Sequence, residues 1–248
     1  MEEKSMKDDK IRIYEESQQI VRKSNDLIRK TRYNLSATEM KIVIYLISKI
    51  VATDKEIRKV NINIKDFCAL IGVQINGREY EAIKQAVRTL RDKSYWLTMP
   101  NGDELLFSWI DFSYIQKNNG NIEITLSKSL EPFLLQLRGN YTAYPFREIL
   151  SLSGKHSIRL YEYLRSFLYK GYCRITISEL KKLLNIENKY SDWRDLKKSV
   201  IDPSIREIRK KTFLDVSYDV IKNGRRIEEI EFNINEAMGY QTTWIEEE

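Results

Sequence analysis

The chain has 248 residues, 42% of them hydrophobic and 31% charged, with 4 Pro and 9 Gly, a balance that argues against global disorder and leaves little room for long linkers. Two cysteines, Cys68 and Cys173, lie far apart and outside any metal-ligand spacing, which fits buried thiols in a reducing compartment better than a disulfide framework. The opening MEEKSMKDDK mixes both charges without the apolar core of a secretory signal. The longest apolar run, residues 42–47, falls far short of the ~20 residues a membrane span needs. A soluble, cytoplasmic protein with no membrane partner is expected.

The net charge of +6 is unevenly spread. Residues 227–248 hold seven acidic groups and no Lys or Arg, so the first 226 carry 42 basic against 29 acidic residues, a net of +13. A basic body is the electrostatic footprint of a polyanion binder, although solvated Lys/Glu faces produce the same number.

Taken in chain order, residues 1–10 carry several charges and no apolar stripe, and are expected to be disordered at the start of an arm over 1–30. An amphipathic helix follows at 38–51. Residues 60–73, VNINIKDFCALIGV, read as a strand of period 2 running into a short helix that opens at a polar position. A longer helix is expected over 78–93, with Tyr80, Ile83, Val87 and Leu90 in one apolar stripe and Glu81, Lys84, Gln85, Arg88 and Asp92 outward. Strands at 95–99 and 104–114 flank Pro100-Asn101-Gly102-Asp103, and Asn-Gly between alternating apolar runs marks a hairpin. A further strand at 122–126 follows a second Asn-Gly region at 118–120, and a helix over 130–137 leads to a join near 138–145.

The second half repeats this order. A helix at 155–169 precedes CRITISELKKLLNI at 173–186, where Ile175, Ile177, Leu183, Leu184 and Ile186 align without gaps on Ile62, Ile64, Leu70, Ile71 and Val73. Asp66 aligns on Glu179, and Phe67 on Leu180. A long helix is expected over 191–211, N-capped by Ser191 and striped by Trp193, Leu196, Val200, Ile201, Ile205 and Ile208. Pro203 lacks the N–H of an interior helix position and predicts a kink or break there. A hairpin of strands 213–221 and 226–234 closes around Lys222-Asn223-Gly224-Arg225, and residues 237–248 form an acidic tail ending in Glu246-Glu247-Glu248.

Helix, strand, helix, helix, hairpin is the order of a winged helix, whose second helix enters the DNA major groove while the hairpin touches the backbone. The fold class expected is α+β, two tandem winged-helix domains over 31–138 and 139–236. A purely structural strand–helix repeat is the plainer alternative. Phosphates are met mainly by Lys, Arg and helix N-termini, and bases by side chains near the start of the recognition helix. The DNA-binding candidates are therefore Lys189, Tyr190, Ser191, Arg194, Lys197 and Lys198 in the second domain, with Lys222, Arg225 and Arg226 on its wing. In the first domain they are Arg78, Lys84, Gln85, Arg88 and Arg91.

Catalytic patterns are not found. One histidine, His156, cannot supply the metal-binding His pair of a nicking enzyme. Ser153-Gly154-Lys155-His156 lacks the leading Gly and the Ser/Thr of a phosphate loop. No Ser-His-Asp or Cys-His arrangement has supporting context. The expectation is a protein that is not an enzyme, with no catalytic residue, metal or cofactor, and with His156 at the surface near a helix start.

The stretch Val21-Arg22-Lys23-Ser24-Asn25-Asp26-Leu27-Ile28, followed by Tyr33-Asn34-Leu35-Ser36 and the helix over 39–50, resembles the opening of the initiator Rep proteins of theta-replicating, iteron-type plasmids. Val200-Ile201-Asp202-Pro203-Ser204-Ile205-Arg206-Glu207-Ile208 resembles the same family, which carries a similar Pro–x–x–x–Glu–Ile pattern. The likeness spans roughly residues 21–235. It implies two winged-helix domains, with monomers binding directly repeated origin sequences (iterons) chiefly through the second. It also implies dimers joined through the first domain that repress the initiator's own gene. The implied partners are double-stranded origin DNA, a second copy in monomer–dimer equilibrium, host replication initiation proteins and the replicative helicase, loaded after an AT-rich segment melts. A winged-helix transcriptional regulator without an initiation role, and a protein-binding scaffold of the same fold, remain the alternatives at this stage.

Overall fold

The computed structural model describes residues 2–99, 101–116 and 119–237, with side chains from Lys10 onward. Helix α1 (Glu2–Gln18) occupies the stretch where disorder is expected over 1–10. Its later turns are tied to the body: Arg12 pairs with Asp66 at 2.8 Å, Glu16 with Lys49, and Arg147 donates to Gln18 Oε1 at 2.6 Å. Strand β1 (Ile20–Ser24) and helix α2 (Asn25–Lys30) follow, with Ser24 Oγ accepting from the Leu27 N–H to cap α2. After the short β2 (Thr31–Arg32), helix α3 (Ala37–Ser48) opens on a capping box between Ser36 and Glu39. Every residue of α3 from Glu39 to Ser48 is buried, so it runs through the core of the first unit.

The repeated segments fold alike, and capping sets the point where strand becomes helix. Strand β3 (Val60–Asn63) turns into α4 (Ile64–Leu70) at Asn63, whose side chain accepts from the N–H groups of Lys65 and Asp66. Thr176, at the same place in the repeat, closes a capping box with Glu179 between a strand at Tyr172–Thr176 and a helix at Ile177–Leu183. Helix α5 (Gly77–Asp92) is capped by Asn76 and buries Ile83, Ala86, Val87 and Leu90.

Four strands follow: β4 (Ser94–Thr98), β5 (Glu104–Ser108), β6 (Ile110–Gln116) and β7 (Asn121–Leu126). The single strand expected over 104–114 is divided at Trp109, whose side chain is 1% exposed. Before it, β5 stays with β4 and β2 in one sheet; after it, β6 joins β7 and β3 in another. Pro100 and Asn118 lie outside the described residues.

Beyond a 3-10 turn at Lys128–Leu130, helix α6 (Glu131–Leu134) is shorter than the expected 130–137, because Leu135 is extended and Gln136 takes φ +49°. Strand β8 (Tyr141–Pro145) then pairs antiparallel with β1, Ile20 lying opposite Pro145. Helices α7 (Phe146–Ser151) and α8 (Lys155–Arg165), β9 (Tyr172–Thr176), α9 (Ile177–Leu183), α10 (Trp193–Leu196), α11 (Asp202–Lys211), β10 (Leu214–Asn223) and β11 (Arg226–Glu236) complete the described chain.

The second sheet has the order β10-β11-β9, and the first unit's equivalent is β6-β7-β3. The wing of the first unit is therefore β6–β7, with its turn at Asn119-Gly120, and not the β4–β5 hairpin. Both turns carry Asn-Gly, so the local signal cannot choose; Ile122 and Ile124, wholly buried in β7, decide which strand completes the core sheet. The architecture is α+β, two winged helices in tandem.

One continuous apolar core runs through both units. At their junction Lys23 of β1 meets Glu162 of α8 at 2.5 Å, and Tyr144 of β8 donates its hydroxyl to the same Glu162 oxygen. Burial pushes the Lys23 amine below its usual pKa, against the opposing pull of Glu162. Arg159 donates to the Thr31 carbonyl at 2.6 Å and lies 4.6 Å over the Tyr33 ring, and Arg29 covers Phe167 at 3.8 Å. Among the described residues no helix is long and apolar enough to cross a membrane.

Candidate nucleic-acid interface

The second unit presents its candidate side chains from three consecutive pieces of chain. Lys189, Tyr190 and Ser191 precede α10; Arg194 lies in it; Lys197 and Lys198 sit in the turn that joins it to α11. All but Tyr190 are exposed. Tyr190 is partly buried: it takes φ +55°, packs against the core, and its carbonyl accepts from Lys181 Nζ at 2.6 Å. That bend makes Asp192, and not Ser191, the N-cap: its carboxylate accepts from the Arg194 N–H at 2.7 Å.

Pro203 does not break the helix. Residues Lys197–Ile201 form a π turn, with the Asp202 N–H donating to the carbonyl of Lys197, and helical backbone continues into α11. Widening the turn by one residue accommodates a proline that has no N–H to give. Glu207, in the stretch Val200–Ile208, anchors α11 to the start of α8. Its carboxylate accepts from the N–H groups of Ser153 (2.8 Å) and Gly154 (3.1 Å) and from Lys211 Nζ (2.8 Å). Burial opposes ionisation of Glu207, yet the hydrogen bonds from Lys211, Ser157, Ser153 and Gly154 outweigh it and hold the carboxyl at about 2. A Cβ at Gly154 would lie 2.8 Å from Ser157 Oγ and 3.1 Å from Glu207 Oε2, so those side chains would have to shift.

The wing tip is compact. Lys222 and Asn223 end β10, Arg226 opens β11, and the turn is made by Gly224 at φ +61° and Arg225. Lys222, Arg225 and Arg226 are exposed and, among the described residues, have no ion-pair partner; Lys189, Arg194 and Lys198 share that condition. Lys197 is the exception, 3.7 Å from Asp202. Next to Lys189, His156 is half-buried and not a free surface residue. Burial first, then Lys155 and Lys189, lowers its pKa to about 4, so it is neutral at pH 7.

The first unit differs. Arg78 and Gln85 are exposed on α5, but Lys84 is held by both Glu81 oxygens at 2.9 and 3.0 Å, Arg88 by Asp92 at 3.3 Å, and Arg91 by the Asp111 carbonyl. Two of the four cations on α5, Lys84 and Arg88, are paired with carboxylates, and Arg91 is tied to a neutral carbonyl. Sequence reasoning overlooked Ser199, Arg206 and Lys210, exposed side chains of the second unit's long helix without a hydrogen bond or ion pair among the described residues. Their spacing of seven and four residues is the signal that would have found them. The acidic groups Glu246, Glu247 and Glu248 lie outside the described residues.

Two winged helices in one body, the second with unpartnered cations on helix and turn, define a DNA-binding class of protein. Residues 20–165 match the family described as Initiator Replication protein, WH1, and residues 176–234 match Initiator Rep protein, WH2. The chain belongs to the initiator Rep protein family. A "Replication initiation protein" of Escherichia coli is 24% identical over 88% of this chain and 70% of its own length. The "PI protein" of Escherichia coli is 31% identical over 51% of this chain and 47% of its own length. Among solved structures, a Pi initiator protein in complex with iteron DNA superposes with a TM-score of 0.73 at 22% identity, over 88% of this chain and 97% of that one. At that identity the likeness establishes the fold.

Proposed function

We propose that the protein initiates plasmid replication by binding directly repeated origin sequences (iterons) as a monomer, opening the adjacent duplex and helping to load the host helicase. The carrying observation is the second unit's exposed cations without ion-pair partners among the described residues, Lys189, Arg194 and Lys198 at the start of its long helix and Lys222, Arg225 and Arg226 at its wing tip, in a family of replication initiators. The relative of the same fold was solved on iteron DNA. The work is binding and remodelling of DNA in the cytoplasm, with no reaction catalysed by the chain itself.

The two units divide the labour. The second, over 139–236, reads sequence through Lys189, Ser191, Arg194, Lys197, Lys198 and the Lys222–Arg225–Arg226 tip. The first, over 31–138, adds weaker DNA contact through Arg78, Lys84, Gln85, Arg88 and Arg91 and joins two copies when the protein represses its own gene. In support of that pairing, Trp96 of β4 and Leu106 of β5 lie directly opposite each other, 54% and 51% exposed, on the outward face of the β2-β4-β5 sheet.

Footprinting on the plasmid's own origin tests this reading. Protection should repeat with the period of the direct repeats, at protein concentrations that leave unrelated duplex free. Equal affinity for origin and unrelated DNA at moderate salt would sink it.

A further inference from the structure

The second unit's long helix meets its wing at Arg209, which donates to Asp215 Oδ1 at 2.8 Å near the start of β10, and at a second polar contact further along that strand. Tyr218, midway along β10, donates its hydroxyl to Asp202 Oδ1 at 2.6 Å. Trp193 of α10 packs edge-on to the Tyr218 ring at 6.5 Å, and Phe232 of β11 lies 5.9 Å from it. Asp202 is also the residue that closes the wide turn, through its N–H on Lys197. Its second carboxylate oxygen is 3.7 Å from Lys197 Nζ.

A wide turn rotates what precedes it. Each helical residue advances about 100° around the axis, so one inserted residue turns the two flanking segments relative to each other by roughly that angle. The buried face widens across the turn: Leu196 before it, Val200 and Ile201 side by side within it, then Ser204, Ile205 and Ile208. The solvent-facing arc gains a residue, and Lys197, Lys198 and Ser199 are exposed in succession. The direction in which Arg194, Lys197 and Lys198 point therefore depends on the turn at Lys197–Ile201 staying wide.

We propose that the Tyr218–Asp202 hydrogen bond is a positioning element that fixes this turn, and with it the outward face of α10, relative to the wing tip bearing Lys222, Arg225 and Arg226. The inference rests on the second unit being the sequence reader. Tyr218 and Asp202 act through the cations on either side of them and touch no DNA themselves. The effect of the bond falls on discrimination between sequences, since loss of the Tyr218 hydroxyl leaves the Lys197–Asp202 pair and every other cation as it was.

Wild-type protein first selects its preferred duplex from a random-sequence pool. Affinities are then measured for that duplex and for a scrambled one of equal composition, using Tyr218→Phe, Asp202→Ala, Asp202→Asn and the double variant Tyr218→Phe/Asp202→Ala. Tyr218→Phe keeps the ring against Trp193 and Phe232, and thermal melting monitors each fold. We expect Tyr218→Phe to lose about 10-fold on the selected duplex while changing the scrambled one by less than about twofold, and Asp202→Ala, which also releases Lys197, to lower the ratio of selected to scrambled affinity by a similar factor. The double variant should lose no more than either single one, and Asp202→Asn, which keeps an acceptor, should recover most of the loss. Equal losses on both duplexes, no loss on either, or additive losses in the double variant overturn the inference. Failure of the wild type to enrich any sequence is a different result: it removes the initiator reading and this inference together.

Discussion

Lys23 Nζ lies 2.5 Å from Glu162 Oε1, with the two side chains 4% and 1% exposed, and this contact joins the β1–β8 strand pair to α8. Removing one member leaves the other charged and buried. Lys23→Ala is expected to cost about 3–5 kcal/mol, whereas Lys23→Met combined with Glu162→Leu should come much closer to neutral. Urea unfolding of the three variants measures this, and a double variant as unstable as Lys23→Ala contradicts it.

Glu207 gives the second unit an acid-side weakness. Its carboxyl is depressed from 4.5 to about 2 in the folded protein, so the folded state holds the proton less tightly than the unfolded chain. The stabilisation is complete above about pH 4.5 and drains away as pH falls towards 2. Because the side chain is 17% exposed, solvent screening reduces the effect to about 1–2 kcal/mol. Glu207→Gln should flatten this part of a stability-versus-pH curve; an unchanged curve rules the account out.

His156 adds a neighbouring window. With its pKa lowered from 6.5 to about 4, the unfolded chain takes up this proton first, and stability falls between those values as pH drops. His156→Asn should remove the slope near pH 5 to 6 while leaving the Glu207 window intact. Two-dimensional NMR of the imidazole gives the folded pKa directly, and a value at or above 6.5 refutes the prediction.

Arg194→Ala or Lys198→Ala should weaken origin binding by about 5- to 20-fold, and Lys84→Ala by less than about twofold, since Lys84 is already held by Glu81. Replacing Lys222, Arg225 and Arg226 together should reduce the slope of log K against log salt by up to about 2.7, at roughly 0.9 per phosphate contact. A salt series on the four proteins is sufficient. Equal losses for Arg194, Lys198 and Lys84 contradict the dominance of the second unit.

Trp96→Ser with Leu106→Ser should shift self-association towards monomer by about 10-fold or more, while binding of a single repeat is retained. Analytical ultracentrifugation over a concentration series reads the first effect and a one-site gel shift the second. Unchanged association places the contact between copies elsewhere.

Helices and their order were legible because period and caps are local: Asn63 and Thr176 act over three residues and stand in the sequence where strand becomes helix. What failed was non-local. Alternation runs straight through Trp109, so nothing nearby announces that β5 and β6 belong to different sheets. Ser191 and Asp192 are both good caps, and only the left-handed turn at Tyr190 chooses between them. Pro203 signals disruption, but the adjacent apolar pair Val200-Ile201 already recorded the extra residue that absorbs it. Among the site residues, the exposed cations of the second unit follow from pattern alone. Within α5 the Glu81–Lys84 and Arg88–Asp92 pairs follow from spacings of three and four, whereas the Arg91 bond to the Asp111 carbonyl does not, because Asp111 lies in a different element.

The pairing of Ile20 with Pro145 bears on how the chain is made. On the ribosome β1 emerges early, yet its partner strand and the Glu162 that receives Lys23 are synthesised only after the whole first winged helix has passed. A contact of such large sequence separation is slow to close, so β1 is expected to dock after the local helices and hairpins of that winged helix have formed. A nascent chain stalled before β8 exposes an unpaired edge, Ile20–Ser24, to neighbouring chains and to chaperones.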